Sequence, residues 1–276
     1  MTEQGMQTST GTQRILAAFT RAQGEHRAAL IAFMTAGYPD LDTSRRIAQA
    51  IVDAGADIVE IGLPFSDPIA DGPVIAESMH EALTRGCTPK RVFETLAPVM
   101  QGSAVPFVSM SSISIAERMG VAQFVEAAAN AGVAGFIAPD ADPEALDALT
   151  RAASLHGAAL TMLVAPSTPA RRMTELLART SGFVYLLARA GITGDSSGAL
   201  DVGARVEELR AHTRKPIAVG FGIARPEQVR TVAASADGVI VGTAIVRVVR
   251  DAIDAGQDPA IAAGTLVREL RAACAR

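Results

Sequence analysis

Short apolar runs alternate with longer segments of helical periodicity along the whole chain of 276 residues. The apolar runs are flanked by Gly, Pro or Asp, which is typical of strands that are buried on both faces of a parallel sheet. They predict strands at Ala29–Ala36, Asp57–Leu63, Pro106–Ser111, Gly135–Asp140, Leu160–Ala165, Phe183–Ala188, Pro216–Phe221 and Gly238–Thr243. Between them, apolar residues at helical spacing predict amphipathic helices. These lie at Thr43–Ala54, Val121–Asn130, Pro143–His156, Thr168–Thr180 and Val202–Thr213.

Eight strand candidates, each followed by a helix, predict an α/β fold, a single (β/α)8 TIM barrel. A helix near Arg14–Gln23 precedes the first strand and is expected to cover the bottom of the barrel. Added helical segments near Pro89–Gln101 and Pro259–Ala275 fit an insertion and a closing helix. The barrel domain is expected to span residues 13–276, after a polar lead-in at residues 1–12 that we expect to be disordered. Active sites of this fold lie in the loops that follow the strands.

Charge and composition exclude several classes of function. The net charge is −4 with interspersed signs, so the chain has no basic stripe for nucleic acid, and no apolar stretch is long enough to span a membrane. Cys87 and Cys274 form no redox or metal motif, which favours a reducing cytoplasm. The histidines stand singly, so we expect surface positions for them and no metal site. They are His26, His80, His156 and His212.

The second strand candidate carries a carboxylate, Glu60, among apolar residues, and two more, Asp67 and Asp71, follow in a proline-rich loop. Two interpretations are open. Glu60 either turns to solvent at the strand end, or it is buried at the mouth of the barrel, where an apolar setting raises its pKa towards that of a general acid or base. Strand alternation places Glu60 on the face opposite Val59 and Ile61, so it points inward if those two residues meet the outer helices. Asp67 either caps the turn at Pro68 or faces a partner.

Glycines follow the last three strand candidates, at the end of the barrel where phosphate commonly binds. Gly194 lies after the sixth, Gly222 after the seventh, and Gly242 and Thr243 after the eighth, where a helix begins directly. Glycines let backbone N–H groups approach an anion, and a helix N-terminus adds a favourable dipole. Each motif alone also fits ordinary turn chemistry. Their common position predicts a phosphate site without a Lys or Arg.

The run VEIGLPFSDPIADGP at residues 59–73 resembles the signature of the tryptophan synthase alpha subunit family. The similarity continues through FMTAGYP at residues 33–39, FVY at 183–185, GITG at 191–194, GFGI at 220–223 and GTA at 242–244. It covers roughly residues 15 to 270 in the family's order. Other phosphate-binding barrels share the glycine loops but not the acidic, proline-rich signature.

The resemblance implies retro-aldol cleavage of indole-3-glycerol phosphate into indole and glyceraldehyde 3-phosphate, with no metal or cofactor in this subunit. It assigns catalytic roles to three residues. Glu60 would be the acid–base residue, Asp71 would accept a hydrogen bond from the indole N–H, and Tyr185 would lie near the reacting groups. The remaining assignments are an indole pocket, a phosphate site and a lid or partner loop. The indole pocket would contain Phe33 and Phe221. The phosphate site would contain Gly194, Gly222, Gly242 and Thr243. The lid or partner loop would contain Pro64, Asp67, Pro68 and Thr193.

The resemblance also implies a partner, a β subunit that contains pyridoxal phosphate and consumes indole in an α2β2 heterotetramer. Two segments depart from the family pattern: Ser111–Ser114, where the family has aromatic and Asn residues, and Pro139–Pro143, where it is more apolar. The first of these departures favours one alternative, a free-standing lyase that releases indole. A second alternative is a mainly regulatory binder of the β subunit, against which the retention of Glu60 and Asp71 argues. A third is another sugar-phosphate barrel.

Overall fold

A computed structural model of the protein describes residues 9–68, 71–188, 202–220 and 222–276. Nine parallel strands form one sheet in the order β5-β4-β3-β2-β1-β9-β8-β7-β6. The strands are β1 Ala29–Thr35, β2 Ile58–Gly62, β3 Phe107–Met110, β4 Val133–Ile137, β5 Ala159–Leu160, β6 Met162–Val164, β7 Val184–Leu187, β8 Ile217–Gly220 and β9 Gly238–Val241. The first strand pairs with the last, which curls the sheet into a nearly closed barrel. The predicted TIM barrel is confirmed.

The fifth strand candidate is divided into two strands, β5 and β6, rather than forming one. Thr161, between them, donates its N–H to the carbonyl of Phe136 in β4, at 3.0 Å. Beyond it, Met162 pairs with Val184 of β7. The run therefore changes its partner at Thr161, and each half is too short to read as a separate strand in the sequence.

Twelve helices accompany the strands within the described residues. They are α1 Gly11–Gly24, α2 Leu41–Asp53, α3 Pro73–Thr84, α4 Pro89–Gly102, α5 Ile113–Met119, α6 Val121–Ala131, α7 Pro143–Leu155, α8 Ala170–Arg179, α9 Val202–Arg210, α10 Pro226–Ala233, α11 Thr243–Asp254 and α12 Pro259–Ala273. Several begin at a side-chain cap: Asp142 accepts the N–H of Ala145, for example, at the start of α7. None of the helices in the described part of the chain is both long and apolar enough to cross a membrane.

Helix α1 covers the bottom of the barrel, where the strands begin. It buries Ile15, Ala18, Phe19 and Ala22 among the inward-facing residues of the strands, and the rings of Phe19 and Phe183 lie 5.5 Å apart. The helix begins within the segment 1–12 that the sequence predicts as a disordered lead-in. Thr10 caps it through its side chain, and Gln13 completes a capping box, which accounts for the earlier start.

The strands separate two apolar layers. On β2, Ile58 faces the barrel interior, whereas Val59 and Ile61 pack against the outer helices. Glu60 therefore shares the inward face with Ile58. At the bottom of the same strand, Asp57 is buried and its two carboxylate oxygens accept hydrogen bonds from Arg27. This ion pair fixes the start of β2 beside β1. Glu60 lies three residues further along the same strand, towards the top of the barrel.

Candidate functional site

A cavity lies at the C-terminal mouth of the barrel, the end where this fold places its active sites. Strand residues, the start of α3 and two glycine-containing loops form its wall. The lining residues are Phe33, Glu60, Asp71, Ile75, Met110, Tyr185, Gly222, Ile223, Ile240, Gly242 and Thr243. The structure thus brings together seven residues to which the sequence assigns catalytic, indole-pocket or phosphate-binding roles.

Glu60 is the more strongly perturbed of the two carboxyl groups of this cavity. Its side chain is only 1% exposed, and its Oε2 has no hydrogen-bond partner among the described residues. Burial in this apolar setting raises the pKa of Glu60 to about 8, and the negative charge of Asp71 adds to the rise. Glu60 is therefore mostly protonated at neutral pH and is able to donate a proton as well as to accept one. The solvent-facing interpretation of this residue is wrong, because the inward strand face excludes water.

Asp71 approaches the same cavity from the loop after β2. Its N–H donates to the carbonyl of Pro68 at 3.0 Å, which makes a tight turn directly before the N-cap of α3 at Gly72. Partial burial raises the pKa of Asp71 to about 6. Asp71 is then ionised at a pH at which Glu60 still holds its proton. Two carboxyl groups with such different pKa values can take separate roles, one as an acid and one as a charged acceptor.

Tyr185 comes from β7, across the barrel from β2. Its side chain is buried, and burial together with the charges of Glu60 and Asp71 raises the pKa of the phenol well above its usual value. A Cβ atom at Gly220, on the neighbouring strand β8, would lie only 2.6 Å from Tyr185 Oη. The glycine therefore makes the space in which the phenol sits, and the neutral O–H faces the cavity.

The apolar wall of the cavity is built around Phe33. Its ring packs with Ile75 and Met79 of α3 and with Val246 of α11. A Cβ atom at Gly62 would lie 2.5 Å from the Cζ atom of Phe33, so the backbone of β2 must approach this ring closely. The ring provides a flat apolar surface beside the carboxylates.

Glycines lie beside this apolar wall, since a Cβ atom at Gly242 would lie 3.2 Å from the Cδ1 atom of Phe33. Gly222 has φ of +78°, a left-handed conformation that a residue with a side chain adopts only with strain. Gly242 accepts hydrogen bonds from Ile245 and Val246 in the first turn of α11. The N–H groups at the start of this helix have no helical carbonyl to bind, so they are free to bind an anion. The hydroxyl of Thr243 lies beside them.

A second groove adjoins the cavity and shares Asp71 and Met110 with it. Its other lining includes Phe65, Asp67 and Pro68 from the loop after β2. Within that loop Pro64 is buried, Pro68 is partly buried and Asp67 is exposed on the rim. Because they share these residues, the groove and the cavity are continuous, and the groove connects the cavity with the protein surface.

The two segments that depart from the family pattern are bonded to each other across the far side of this groove. Asp140 accepts hydrogen bonds from Ile113 N, at 2.9 Å, and from Ser112 Oγ, at 2.6 Å. Ser112 and Asp140 thereby start the short helix α5 in a region that the sequence predicts as a loop. Polar residues in one departing segment therefore serve as partners for those in the other.

Some predicted residues lie elsewhere, and some lining residues were not predicted. Thr193, Gly194 and Phe221 lie outside the described residues. Unpredicted members of the wall are Ile75, Met110, Ile223 and Ile240. Strand alternation was a usable signal for Met110 and Ile240, and Pro73 at the first position of α3 was a usable signal for the helix that carries Ile75.

The histidines do not contribute to this site, since all four are exposed as expected. No group of three or more His, Cys, Asp or Glu side chains in the described ranges is placed to hold a metal ion. The chemistry offered by the described site is that of a neutral acid, a carboxylate, a phenol and backbone N–H groups.

Comparisons with known proteins agree with the geometry. The profile of the family described as "Tryptophan synthase alpha chain" matches residues 19–275. A protein of that name from Opitutus terrae is 40% identical over 239 residues, which is 86% of this chain and 90% of the relative. A second, from Prochlorococcus marinus, is 41% identical over 255 residues, 92% of each chain.

Solved structures give the same result. A Mycobacterium tuberculosis tryptophan synthase chain superposes with a TM-score of 0.87 at 31% identity, over 98% of this chain and 100% of that chain. Tryptophan synthase subunit alpha from Legionella pneumophila superposes with a TM-score of 0.86 at 32% identity, over 95% of this chain and 98% of that chain. The signature, the barrel and the shared length lead to one conclusion: the chain belongs to the tryptophan synthase alpha chain family.

Proposed function

We propose that this protein is a carbon–carbon lyase that cleaves indole-3-glycerol phosphate into indole and glyceraldehyde 3-phosphate during tryptophan synthesis. The observation that carries the proposal is one cavity lined by a buried glutamate, by an aspartate and by the N-terminus of helix α11. The substrate needs the same three features: Asp71 fits the indole N–H, Glu60 the reacting C–C bond, and the helix N-terminus the phosphate.

The proton balance of the cleavage requires one residue that both donates and accepts. Glu60 donates its proton to C3 of the indole, and the ring becomes positively charged. Asp71 accepts the hydrogen bond of the indole N–H and stabilises that charge. The carboxylate of Glu60 then takes the proton of the neighbouring hydroxyl as the C–C bond breaks; the bonding electrons restore the aromatic ring, and the hydroxyl carbon becomes the aldehyde. Glu60 ends protonated, as it began.

The remaining residues hold the substrate. Phe33, and Phe221 by resemblance, form apolar walls for the indole, and Tyr185 lies near the reacting groups. Gly194, Gly222, Gly242 and Thr243 bind the phosphate through backbone N–H groups and one hydroxyl. No cofactor is assigned to this chain.

We propose the cytoplasm as the compartment and a β subunit, which carries pyridoxal phosphate, as the partner in an α2β2 heterotetramer. The loop Pro64–Asp71, with Asp67 and Pro68 on the groove, is the proposed lid and contact with that partner. Thr193 is assigned to the same lid by resemblance. A free-standing lyase is the second candidate, and the polar bonding of Ser112 with Asp140 near the groove favours it.

Indole release from indole-3-glycerol phosphate, measured with and without a cognate β subunit, tests the proposal. Glu60→Gln should abolish turnover while substrate binding persists, because the amide keeps the shape but cannot carry the proton. The exposed Glu126→Gln on α6 provides a matched control that should retain activity. Substantial turnover by Glu60→Gln would refute the role of Glu60, and full turnover without the β subunit would favour the free-standing enzyme.

A further inference from the structure

An arginine outside the cavity connects the two helices that carry its opposite ends. Arg250 of α11 forms ion pairs with Glu77 and Glu81 of α3, the latter at 3.2 Å between Nη2 and Oε1. Its Nε also lies 3.4 Å from Tyr38 Oη, and its guanidinium carbon lies 6.0 Å from the centroid of the Tyr38 ring. We call Arg250, Glu77, Glu81 and Tyr38 the clamp.

The helices joined by the clamp begin at the two ends of the site. Helix α3 starts at Pro73, two residues after Asp71, and α11 starts at Thr243, directly after Gly242. Arg250 lies one turn beyond Val246, the residue through which α11 packs with Phe33, Ile75 and Met79. One turn closer to the cavity than the clamp, therefore, apolar contacts of Val246 with Ile75 and Met79 also join α11 to α3.

Stability alone does not explain the clamp. The side chains of Glu77 and Glu81 are 60% and 43% exposed, and exposed ion pairs of this kind add little to folding free energy. Arg250 itself is 22% exposed, and its planar guanidinium reaches two carboxylates and one phenol at once. Three fixed partners on two elements restrict how α11 can shift or turn relative to α3.

We infer that Arg250 is a positioning residue, which sets the distance between the carboxylate end and the phosphate end of the site. This inference rests on the proposed function, since only a substrate that spans both ends requires that distance to be fixed. A ligand that occupies one end should not depend on the clamp. Inorganic phosphate and indole are such ligands, because each resembles only one part of indole-3-glycerol phosphate.

The test compares Arg250→Met with Arg247→Met, an exposed arginine on the same helix. We expect Arg250→Met to lower kcat/KM for indole-3-glycerol phosphate by about tenfold, since small misplacements of a bound substrate carry large rate losses. The inhibition constants of inorganic phosphate and of indole should change by less than about twofold, because each end remains intact. Arg247→Met should resemble the wild type in all three measurements.

A second variant protects the test against misfolding of the first. Glu77→Gln/Glu81→Gln keeps the size of both exposed side chains and should reproduce the loss in kcat/KM. Adding Arg250→Met to it should cause a smaller further loss than Arg250→Met causes in the wild type, because both ion pairs are already gone and only the contact with Tyr38 remains.

Unchanged kcat/KM in Arg250→Met, or equal weakening of phosphate inhibition and turnover, would overturn the inference while leaving the proposed function intact. Absence of indole release by the wild-type protein, with its β subunit present, would overturn both.

Discussion

Removing the ionisable group at Glu60 should stabilise the protein, and increasingly so as the pH rises. The carboxyl is buried without a hydrogen-bond partner for Oε2 among the described residues, and its pKa rises from 4.5 to about 8 on folding. Between these two values the native state holds a proton that the unfolded chain has released. The native state therefore becomes less stable as the pH increases through this interval, and the loss is complete above the native pKa.

The size of the effect follows from the width of that interval. Each pH unit within it lowers the free energy of unfolding by about 1.4 kcal/mol, which amounts to about 5 kcal/mol over the whole interval. Between pH 5 and pH 8 the expected loss is about 3–4 kcal/mol, because titration is only partial near both limits. The Glu60→Gln variant does not titrate, so its advantage over the wild type should grow by that amount.

Urea unfolding of both proteins at pH 5 and pH 8 measures the difference. The chain contains no Trp, so far-UV circular dichroism is the suitable signal. Glu126→Gln, which removes an exposed carboxyl from α6, should differ from the wild type equally at both pH values. A Glu60→Gln advantage that stays constant between pH 5 and pH 8 would refute the argument that burial perturbs Glu60.

Three further predictions concern the cavity and its rim. The pH profile of kcat/KM should be bell-shaped, because activity rises as Asp71 ionises near pH 6 and falls as Glu60 loses its proton near pH 8. A kcat/KM that keeps rising above pH 9 would contradict this order of ionisation. Gly62→Ala should push the ring of Phe33 aside, lower kcat/KM and destabilise the protein by about 1–3 kcal/mol in the same urea assay; an unaffected variant would contradict the close approach. Asp140→Ala should leave the N–H of Ile113 at the start of α5 without its acceptor and destabilise the protein by about 1 kcal/mol, whereas Asp140→Asn should recover part of the loss; equal stability of Asp140→Ala and the wild type would contradict a stabilising role for this hydrogen bond.

Periodicity was sufficient to predict the barrel from the sequence. A parallel strand that is covered on both faces is apolar along most of its length. Each strand therefore appears in the sequence as a short apolar run flanked by Gly, Pro or Asp. The same rule could not reveal the division at Thr161, because the partner of a strand residue depends on the neighbouring strand and not on local composition. Helices α3, α5 and α10 were not located from the sequence; α3 and α5 begin within loops whose polar residues act as caps or turns, and α10 is only eight residues long.

The carboxylates of the site were predictable because a charged residue in a buried strand is rare unless it has a function. Alternation then determined which way Glu60 points once the outward face of Val59 and Ile61 was known. The apolar wall was harder to predict. Ile75 and Met110 resemble any core residue in the sequence, and only their position around one cavity distinguishes them. The clamp has no sequence signal either, since Arg250 and Tyr38 are far apart in the chain and meet only when the barrel closes.

The pairing of β1 with β9 has a consequence for the order in which the protein folds. Ala29 and Ile31 of the first strand pair with Gly238 and Ile240 of the last, so one edge of β1 has no partner until the far end of the chain has folded. During synthesis an early part of the chain therefore exposes an apolar strand edge, a state prone to aggregate. Substitutions that weaken β9 should accordingly reduce the yield of soluble protein more than they reduce the activity of the molecules that do fold.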